Sequence, residues 1–245
     1  MARYNIDNVE ISITNIHDAL NRINEQIRTG KSAYICVTNS RAAYIGHHDE
    51  QYREVLNNSL MTVPDGKPLE WIARLSGFKD VKRTSGSDLF RAICNLSLEK
   101  GYSHYFYGST SEVLTRLVTN TINEFPGIRI LGAISPPFGS AEVLANQLII
   151  DSINKHKPTF VWIGLGAPKQ ERFMHLICSQ VESSILIGVG LVFDYQAGTV
   201  IRAPKWMQRN GLEWAYRLAQ QPGNIRRAIK PLAWISYKII VSLFK

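Results

Sequence analysis

The stretch TFVWIGLGAPKQERFMHLICSQ (residues 159–180) decides the fold. Thr159–Ile163 is the short apolar run of a strand buried on both faces. Gly164-Leu165-Gly166-Ala167-Pro168 then turns the chain. Residues 168–180 carry helical spacing, and Pro168 suits the first helical position. Ser184–Val189 is again a short apolar run. A buried strand, a glycine turn, a helix and a second buried strand make one βαβ unit, and so a parallel pair.

The rhythm continues on the N-terminal side. His104–Tyr107 reads as a strand, Gly108-Ser109-Thr110-Ser111 as a connection, and 111–124 as a helix. Ile128–Leu131 reads as a strand ahead of a Gly/Pro-rich loop over 132–140 and a helix over 141–155. Residues 8–13 alternate like a strand. Ile16, Leu20, Ile23 and Ile27 share one face of a helix over 15–28. Ala33–Val37 is a buried strand, 41–57 a helix, and Leu60–Val63 a strand that stops at Pro64-Asp65-Gly66. A helix over 88–100 follows, capped by Ser87 or Asp88. The expected fold is α/β, a parallel sheet flanked by helices, with ligands at the C-terminal ends of the strands.

Past residue 200 the pattern changes. Residues 204–220 read as one helix, broken by Gln221-Pro222-Gly223, and Pro231 breaks the chain again. Residues 232–244 form an apolar stretch with Trp234, Tyr237, Phe244 and the single charge Lys238. It is too short to span a bilayer. It suits a membrane interface, or packing on the body as a final helix. The expected organisation is a catalytic domain over 1–200 and a basic C-terminal appendage over 201–245.

Charge marks the same boundary. The 245 residues hold 28 Lys+Arg against 20 Asp+Glu, a net +8. From Arg202 to Lys245 there are nine Lys/Arg and one acid, Glu213, so the whole excess lies in that segment. A neutral body with a basic end points to a polyanion at that end, phospholipid or nucleic acid. The apolar residues interleaved there favour lipid. Cys36, Cys94 and Cys178 form no CxxC pair, so neither a disulfide framework nor a zinc site is expected; three buried small side chains in a reducing compartment are. MARYNIDNVEISIT has no basic-then-apolar signal pattern, and a cytoplasmic protein is the expectation. No DxD triplet appears, and His47 and His48 are adjacent rather than spaced i, i+4. No metal or cofactor is indicated, and both histidines are expected on a helix surface.

Four places can carry chemistry. Asp65 follows a buried strand, where a carboxylate would point from the sheet edge as a general base, and Gly66 allows positive φ or close approach of a ligand; Pro-Asp-Gly is also a common turn. In the run 164–171, Gly164, Gly166, Lys169, Gln170 and Glu171 are candidate ligand contacts at a helix start, where free N–H groups favour phosphate. The third glycine of GxGxxG and the Gly-Lys-Ser/Thr of a Walker loop are both absent, so a plain connection is the alternative. Gly108 and Ser109 precede a helix and either cap it or hold phosphate. Arg83 either offers its fork to a diphosphate or lies solvated.

Together these segments resemble the WecG/TagA/CpsF family of bacterial glycosyltransferases. The resemblance rests on Thr38-Asn39, Pro64-Asp65-Gly66, Arg83 with Gly86-Ser87-Asp88-Leu89, Tyr107-Gly108-Ser109, and Gly164 through Glu171. It continues through Gly188–Asp194, Ala197-Gly198, Arg202–Trp206 and Gly211–Leu218, in family order. It implies a Rossmann-like core and metal-independent, inverting transfer from a UDP-sugar, such as UDP-N-acetylmannosamine or its uronic acid. The implied acceptor is a polyprenyl-diphosphate-linked sugar in cell-surface polysaccharide synthesis. It also implies Asp65 as general base, Thr38, Asn39, Arg83 and Gln170 in the pocket, and a basic C-terminal segment that meets the inner face of the membrane and completes the site. Arg83, with Arg202 and Arg217 from that segment, would then stabilise the departing diphosphate. The loop after the fifth strand reads Ser135-Pro136-Pro137-Phe138-Gly139 where many relatives have Gly-Tyr-Phe, which leaves the donor sugar open. The oligomeric state is open too, a homo-oligomer included. Three other readings stand beside this one: a nucleotide-dependent oxidoreductase, which wants a full GxGxxG; a nucleic-acid-binding protein using the basic end; and a non-catalytic lectin-like relative.

Overall fold

The computed structural model describes residues 2–221, 223 and 225–243; Pro222 and Phe244 lie outside the described residues. The chain opens with β1 (Arg3–Ile6), β2 (Val9–Ser12), α1 (Ile16–Arg28), β3 (Ala33–Thr38), α2 (Ser40–His48), α3 (Glu50–Asn57) and β4 (Met61–Pro64). Next come α4 (Lys67–Leu75), α5 (Gly86–Lys100), β5 (Ser103–Gly108), α6 (Ser111–Glu124), β6 (Arg129–Ile134), α7 (Ala141–Leu144) and α8 (Gln147–His156). Then follow β7 (Phe160–Gly164), α9 (Lys169–Cys178), β8 (Ile185–Gly188), α10 (Val192–Ala197), α11 (Lys205–Arg209), α12 (Glu213–Gln220) and α13 (Ile225–Leu243).

Six strands form one parallel sheet in the order β4-β3-β8-β7-β5-β6. This is the parallel sheet flanked by helices that the strand–helix alternation predicts, and the Rossmann-like core that the family resemblance implies. Its side chains alternate between two apolar layers. Cys36, Tyr105, Tyr107, Val161, Ile163 and Leu186 face one layer, packed by α2, α3, α4, α8 and α9. Ile35, Val37, Phe106, Phe160, Trp162, Ile185 and Ile187 face the other, packed by α1, α5, α6 and α10. With both faces covered, the strand ends are where this sheet meets solvent.

The sequence did not signal β1. It pairs antiparallel with β2 in a separate hairpin, and the two turn residues, Asp7 (φ 48°) and Asn8 (φ 72°), take the left-handed conformation such a tight turn requires. The hairpin lies against the edge strand, where Ser12 Oγ accepts the Thr62 N–H at 3.0 Å.

Four helix expectations need correction. The helix over 41–57 is two helices, because Asp49 ends α2 and its side chain caps α3 through the Tyr52 N–H at 2.9 Å. The helix over 141–155 is likewise split, with Asn146 capping α8. The helix over 204–220 is split where Gly211 takes φ +73° between α11 and α12. Conversely, Pro231 does not break the chain. It lies inside α13, buried against the body, and packing compensates for its missing N–H. Strand β6 also runs three residues further than Leu131, into the expected loop. Among caps, Ser85 rather than Ser87 or Asp88 starts α5, and Pro168 is the N-cap of α9 rather than its first residue.

α13 has two faces. Ile235 is 1% exposed and belongs to the core layer beneath α2 and α4. Trp234 Nε1 donates to Asp7 Oδ2 at 3.2 Å, and Lys238 Nζ pairs with the same carboxylate at 2.6 Å. His47 stacks on Trp234 with ring centroids 5.7 Å apart, so it is partly buried, and only His48 is surface-exposed as expected. Cys36 and Cys94 are buried as expected, whereas Cys178 is only partly so. The outward face of α13 shows Ile225, Ile229, Tyr237, Ile240 and Leu243 to solvent. No helix among the described residues is long and apolar enough to cross a membrane.

Ile235 is the apolar anchor of α13. Ile235→Ala should lower stability by about 2–4 kcal/mol, the range for a fully buried aliphatic side chain. Urea unfolding followed by circular dichroism would measure this; a change under about 0.5 kcal/mol would mean that α13 is not anchored by its core contact.

Candidate active site

A cleft of about 460 Å³ opens at the C-terminal ends of β3, β4, β7 and β8. Each strand hands over a loop with a chemical purpose. Strand β3 ends at Thr38, whose carbonyl accepts the Asp65 N–H at 2.7 Å. That bond extends the β3–β4 pairing by one residue and fixes Asp65 just beyond the buried strand. Asn39 caps α2, its Oδ1 accepting from the Arg41 and Ala42 N–H groups at 3.0 and 3.1 Å. Arg41 then reaches across to the Ala167 carbonyl at 3.0 Å and joins the loop after β3 to the loop after β7.

The C-terminal segment covers this edge. Arg202, Gln208, Gly211, Glu213, Trp214, Arg217 and Arg227 all line the cleft. Glu213, at the start of α12, pairs with Arg83 and lies 3.6 Å from Arg202 Nε. Arg202 also donates to Asp88 Oδ1 at 3.0 Å and to Ser85 Oγ at 2.9 Å. Arg83 is held at its backbone as well, where its N–H donates to Glu70 Oε2 at 2.8 Å. Glu70 is itself buried, yet Lys67 and the Arg83 N–H outweigh the cost of burial and hold its carboxyl below the usual range.

Asp65 is the titratable group at the centre. Burial pushes its carboxyl up to about 6, against the pull of Arg83, Arg217 and Arg202; Glu213 adds to the push. Desolvation therefore outweighs three nearby cations. Among the described residues none donates a hydrogen bond to this carboxylate. It faces the cleft with its lone pairs free and a proton affinity near neutrality, which is what a general base needs.

The cleft gathers Asp65, Arg83, Asn39, Gly66, Gly164, Gly166, Gln170, Arg202 and Arg217 from the residues singled out in the sequence. Gly66 has φ 178°, extended backbone that any residue adopts, so of the two roles open to it, positive φ and close approach of a ligand, the first is not found. Gln170 lines the cleft while its side chain is spent on structure. Its Oε1 accepts the Gly166 N–H at 3.1 Å and its Nε2 donates to Glu171 Oε1 at 2.7 Å.

Five others lie elsewhere. Thr38 is buried and contributes its backbone carbonyl. Gly108 is required by the sheet: at φ +130°, a Cβ would sit 2.5 Å from the Gly164 carbonyl oxygen. Ser109 donates its N–H to that same carbonyl at 3.1 Å. Lys169 points away to the Gly139 carbonyl at 3.2 Å and lies over the exposed ring of Phe138. Glu171 is 1% exposed beneath Gln170, with Tyr52 beside it. Sequence reasoning overlooked Arg41, Tyr195 and Glu213 as site residues, and covered Arg227 only as one arginine of the basic segment. Only Glu213 carried a signal, as the lone acid of a basic segment.

These features define the class: a Rossmann-like α/β protein whose cleft, at the C-terminal edge of the sheet, sets the Asp65 carboxylate among arginines. The chain belongs to the glycosyl transferase WecG/TagA/CpsF family, whose model matches residues 4–245. Over 228 residues it is 30% identical to an N-acetylglucosaminyldiphosphoundecaprenol N-acetyl-beta-D-mannosaminyltransferase of Bacillus subtilis strain 168, covering 92% of this chain and 86% of that protein. A protein of the same name from Bacillus spizizenii strain W23 is 30% identical over 199 residues, 81% of this chain and 76% of its own length.

Burial raises the Glu171 carboxyl from 4.5 to about 7, with Gln170 the strongest opposing influence. The folded state thus favours the protonated form. Below pH 4.5 this costs nothing; from there to about pH 7 stability is lost as pH rises. Glu171→Gln should therefore gain in melting temperature over the parent as pH goes from 5 to 8. An equal difference at both values would show that Glu171 is not held protonated by the fold.

Proposed function

We propose that this protein transfers an N-acetylmannosamine-type sugar from a UDP-sugar to a polyprenyl-diphosphate-linked N-acetylglucosamine, with inversion and without a metal. The observation that carries this reading is the unpaired Asp65 carboxylate, raised to about 6, in a cleft lined by arginines from both the body and the C-terminal segment. The sugar and acceptor follow the names of the two Bacillus relatives. The pathway is cell-surface polysaccharide synthesis.

In this mechanism Asp65 takes the proton of the acceptor hydroxyl. The acceptor oxygen attacks the anomeric carbon on the face opposite the UDP. The bond from that carbon to the diphosphate breaks as the new one forms, and a single displacement inverts the configuration. Negative charge then grows on the leaving diphosphate. Arg83, Arg202 and Arg217, which line the cleft, neutralise it in this reading, the task a divalent cation performs elsewhere. Arginine suits this, since its fork matches phosphate oxygens and stays charged.

The acceptor's lipid explains the outer face of α13. Residues 201–245 serve as an appendage to a catalytic body over 1–200, roofing the cleft on one side and meeting the cytoplasmic leaflet on the other. Ile225, Ile229, Tyr237, Ile240 and Leu243 are exposed, with Arg226, Arg227 and Lys230 exposed alongside. Such a helix binds an anionic interface by burying its apolar stripe, with about 1 kcal/mol more from each nearby cation.

Two experiments test this. UDP release with UDP-N-acetylmannosamine and a short-chain lipid-diphosphate N-acetylglucosamine should proceed with EDTA present and should fall away below about pH 6, as Asp65 takes up its proton. Asp65→Asn should cost ~10²–10⁴-fold in kcat with the fold intact. Near-normal turnover by that variant would end the general-base role. Separately, Ile229→Glu with Ile240→Glu should reduce co-flotation with anionic liposomes about tenfold or more; undiminished binding would remove α13 from the membrane contact.

A further inference from the structure

Asp65 lies in the field of three arginines, Arg83, Arg202 and Arg217, yet none of them hydrogen-bonds its carboxylate. A carboxylate so placed would ordinarily be captured by a guanidinium in a charge-assisted pair. The ion pairs around it give the reason for Arg83 and Arg202. Arg83 spends Nη2 on Glu213, and its backbone N–H is tied to Glu70. Arg202 spends its fork on Asp88 and Ser85, and its Nε faces Glu213 at 3.6 Å. Glu213 is the one acid of the C-terminal segment, and it sits between two arginines of the cleft.

We propose that Glu213 is a positioning residue for the reaction: by engaging Arg83 it keeps that guanidinium group off Asp65, so that the base meets its substrate unpaired. This deepens, and rests on, the reading of Asp65 as the base. Glu213 itself touches no reacting atom. Its charge acts in the same direction as its geometry, since it offsets the arginines that favour ionised Asp65. The charged and titratable groups that line the cleft with Asp65 are Arg83 from the segment before α5, Glu213 and Arg217 on α12, and Arg202 from the segment before α11; Asp194 and Tyr195 on α10, Arg41 on α2, Lys67 on α4 and Arg227 on α13 complete the set. Removing the Glu213 charge leaves Arg83 to turn onto Asp65, while Arg202 stays on Asp88 and Ser85. Release of Arg83 and loss of the Glu213 charge both lower the proton affinity of Asp65, and the titration reads their sum.

The test is the titration of Asp65 in protein labelled with ¹³C at aspartate carboxyls, its signal assigned by loss in Asp65→Asn. In Glu213→Gln, which keeps the shape but not the charge, the Asp65 midpoint should fall by roughly one pH unit, the size of effect a nearby charge produces. The acid limb of the kcat/KM profile should move down with it, and kcat at neutral pH should drop about tenfold as the base weakens. Glu213→Asp keeps the charge on a shorter arm and should shift the midpoint less. An Asp65 midpoint unchanged in folded Glu213→Gln overturns the proposal. Should that variant fail to fold, an unchanged midpoint in Glu213→Asp overturns it equally. The titration needs no turnover, so its outcome is separate from the fate of the general-base role, which Asp65→Asn decides.

Discussion

A parallel sheet covered on both faces leaves little freedom for the rest of this molecule. Its side chains are taken up by two apolar layers, so chemistry is confined to the strand ends. The N–H of Asp65 on the Thr38 carbonyl is the point where that constraint becomes a site. It carries the regular pairing of β3 and β4 one residue past the buried run and sets a carboxylate at the mouth of the sheet. Gly108 and Gly164 work in the same way on β5 and β7, where the two backbones approach so closely that no Cβ fits at Gly108.

The electrostatics of the cleft follow from what then covers it. An exposed Asp65 among arginines would be an ordinary low-pKa acid. Burial beneath α11, α12 and α13 reverses the balance, because the cost of desolvating the charge exceeds the attraction of three cations around it. The C-terminal segment thus supplies both sides of the contest. It brings Arg202 and Arg217, and it also brings the Glu213 charge and the helices that line the cleft over Asp65.

α13 joins this chemistry to a surface. Its inner face is fixed by Ile235, by Trp234 and by Lys238 on the hairpin turn at Asp7. Its outer face keeps an apolar stripe in solvent. In a roof helix of this kind, binding a membrane and completing a cleft need not compete. Of the two expectations for residues 232–244, packing on the body holds for the inner face, and the exposed outer face is what the proposed membrane contact would use.

How much of this was legible beforehand divides along one physical line. Strand identity, parallel pairing and the position of Asp65 followed from local patterns, since a buried strand must be apolar and a glycine turn must follow it. The concentration of charge after Arg202 was equally plain. Helix ends were less so: Asp49, Asn146 and Gly211 split helices that periodicity ran together, and packing carried α13 through Pro231. Lys169 and Glu171 look like ligand contacts beside Gln170 in the chain, yet helical geometry turns one onto Gly139 and buries the other. The sequence by itself determined the α/β architecture, the edge at which the cleft lies and the place of Asp65 on that edge. Only the tertiary structure decided which charges meet that carboxylate, because Arg83, Arg202 and Glu213 come together through folding of segments up to 130 residues apart, and no local pattern records a contact across that distance.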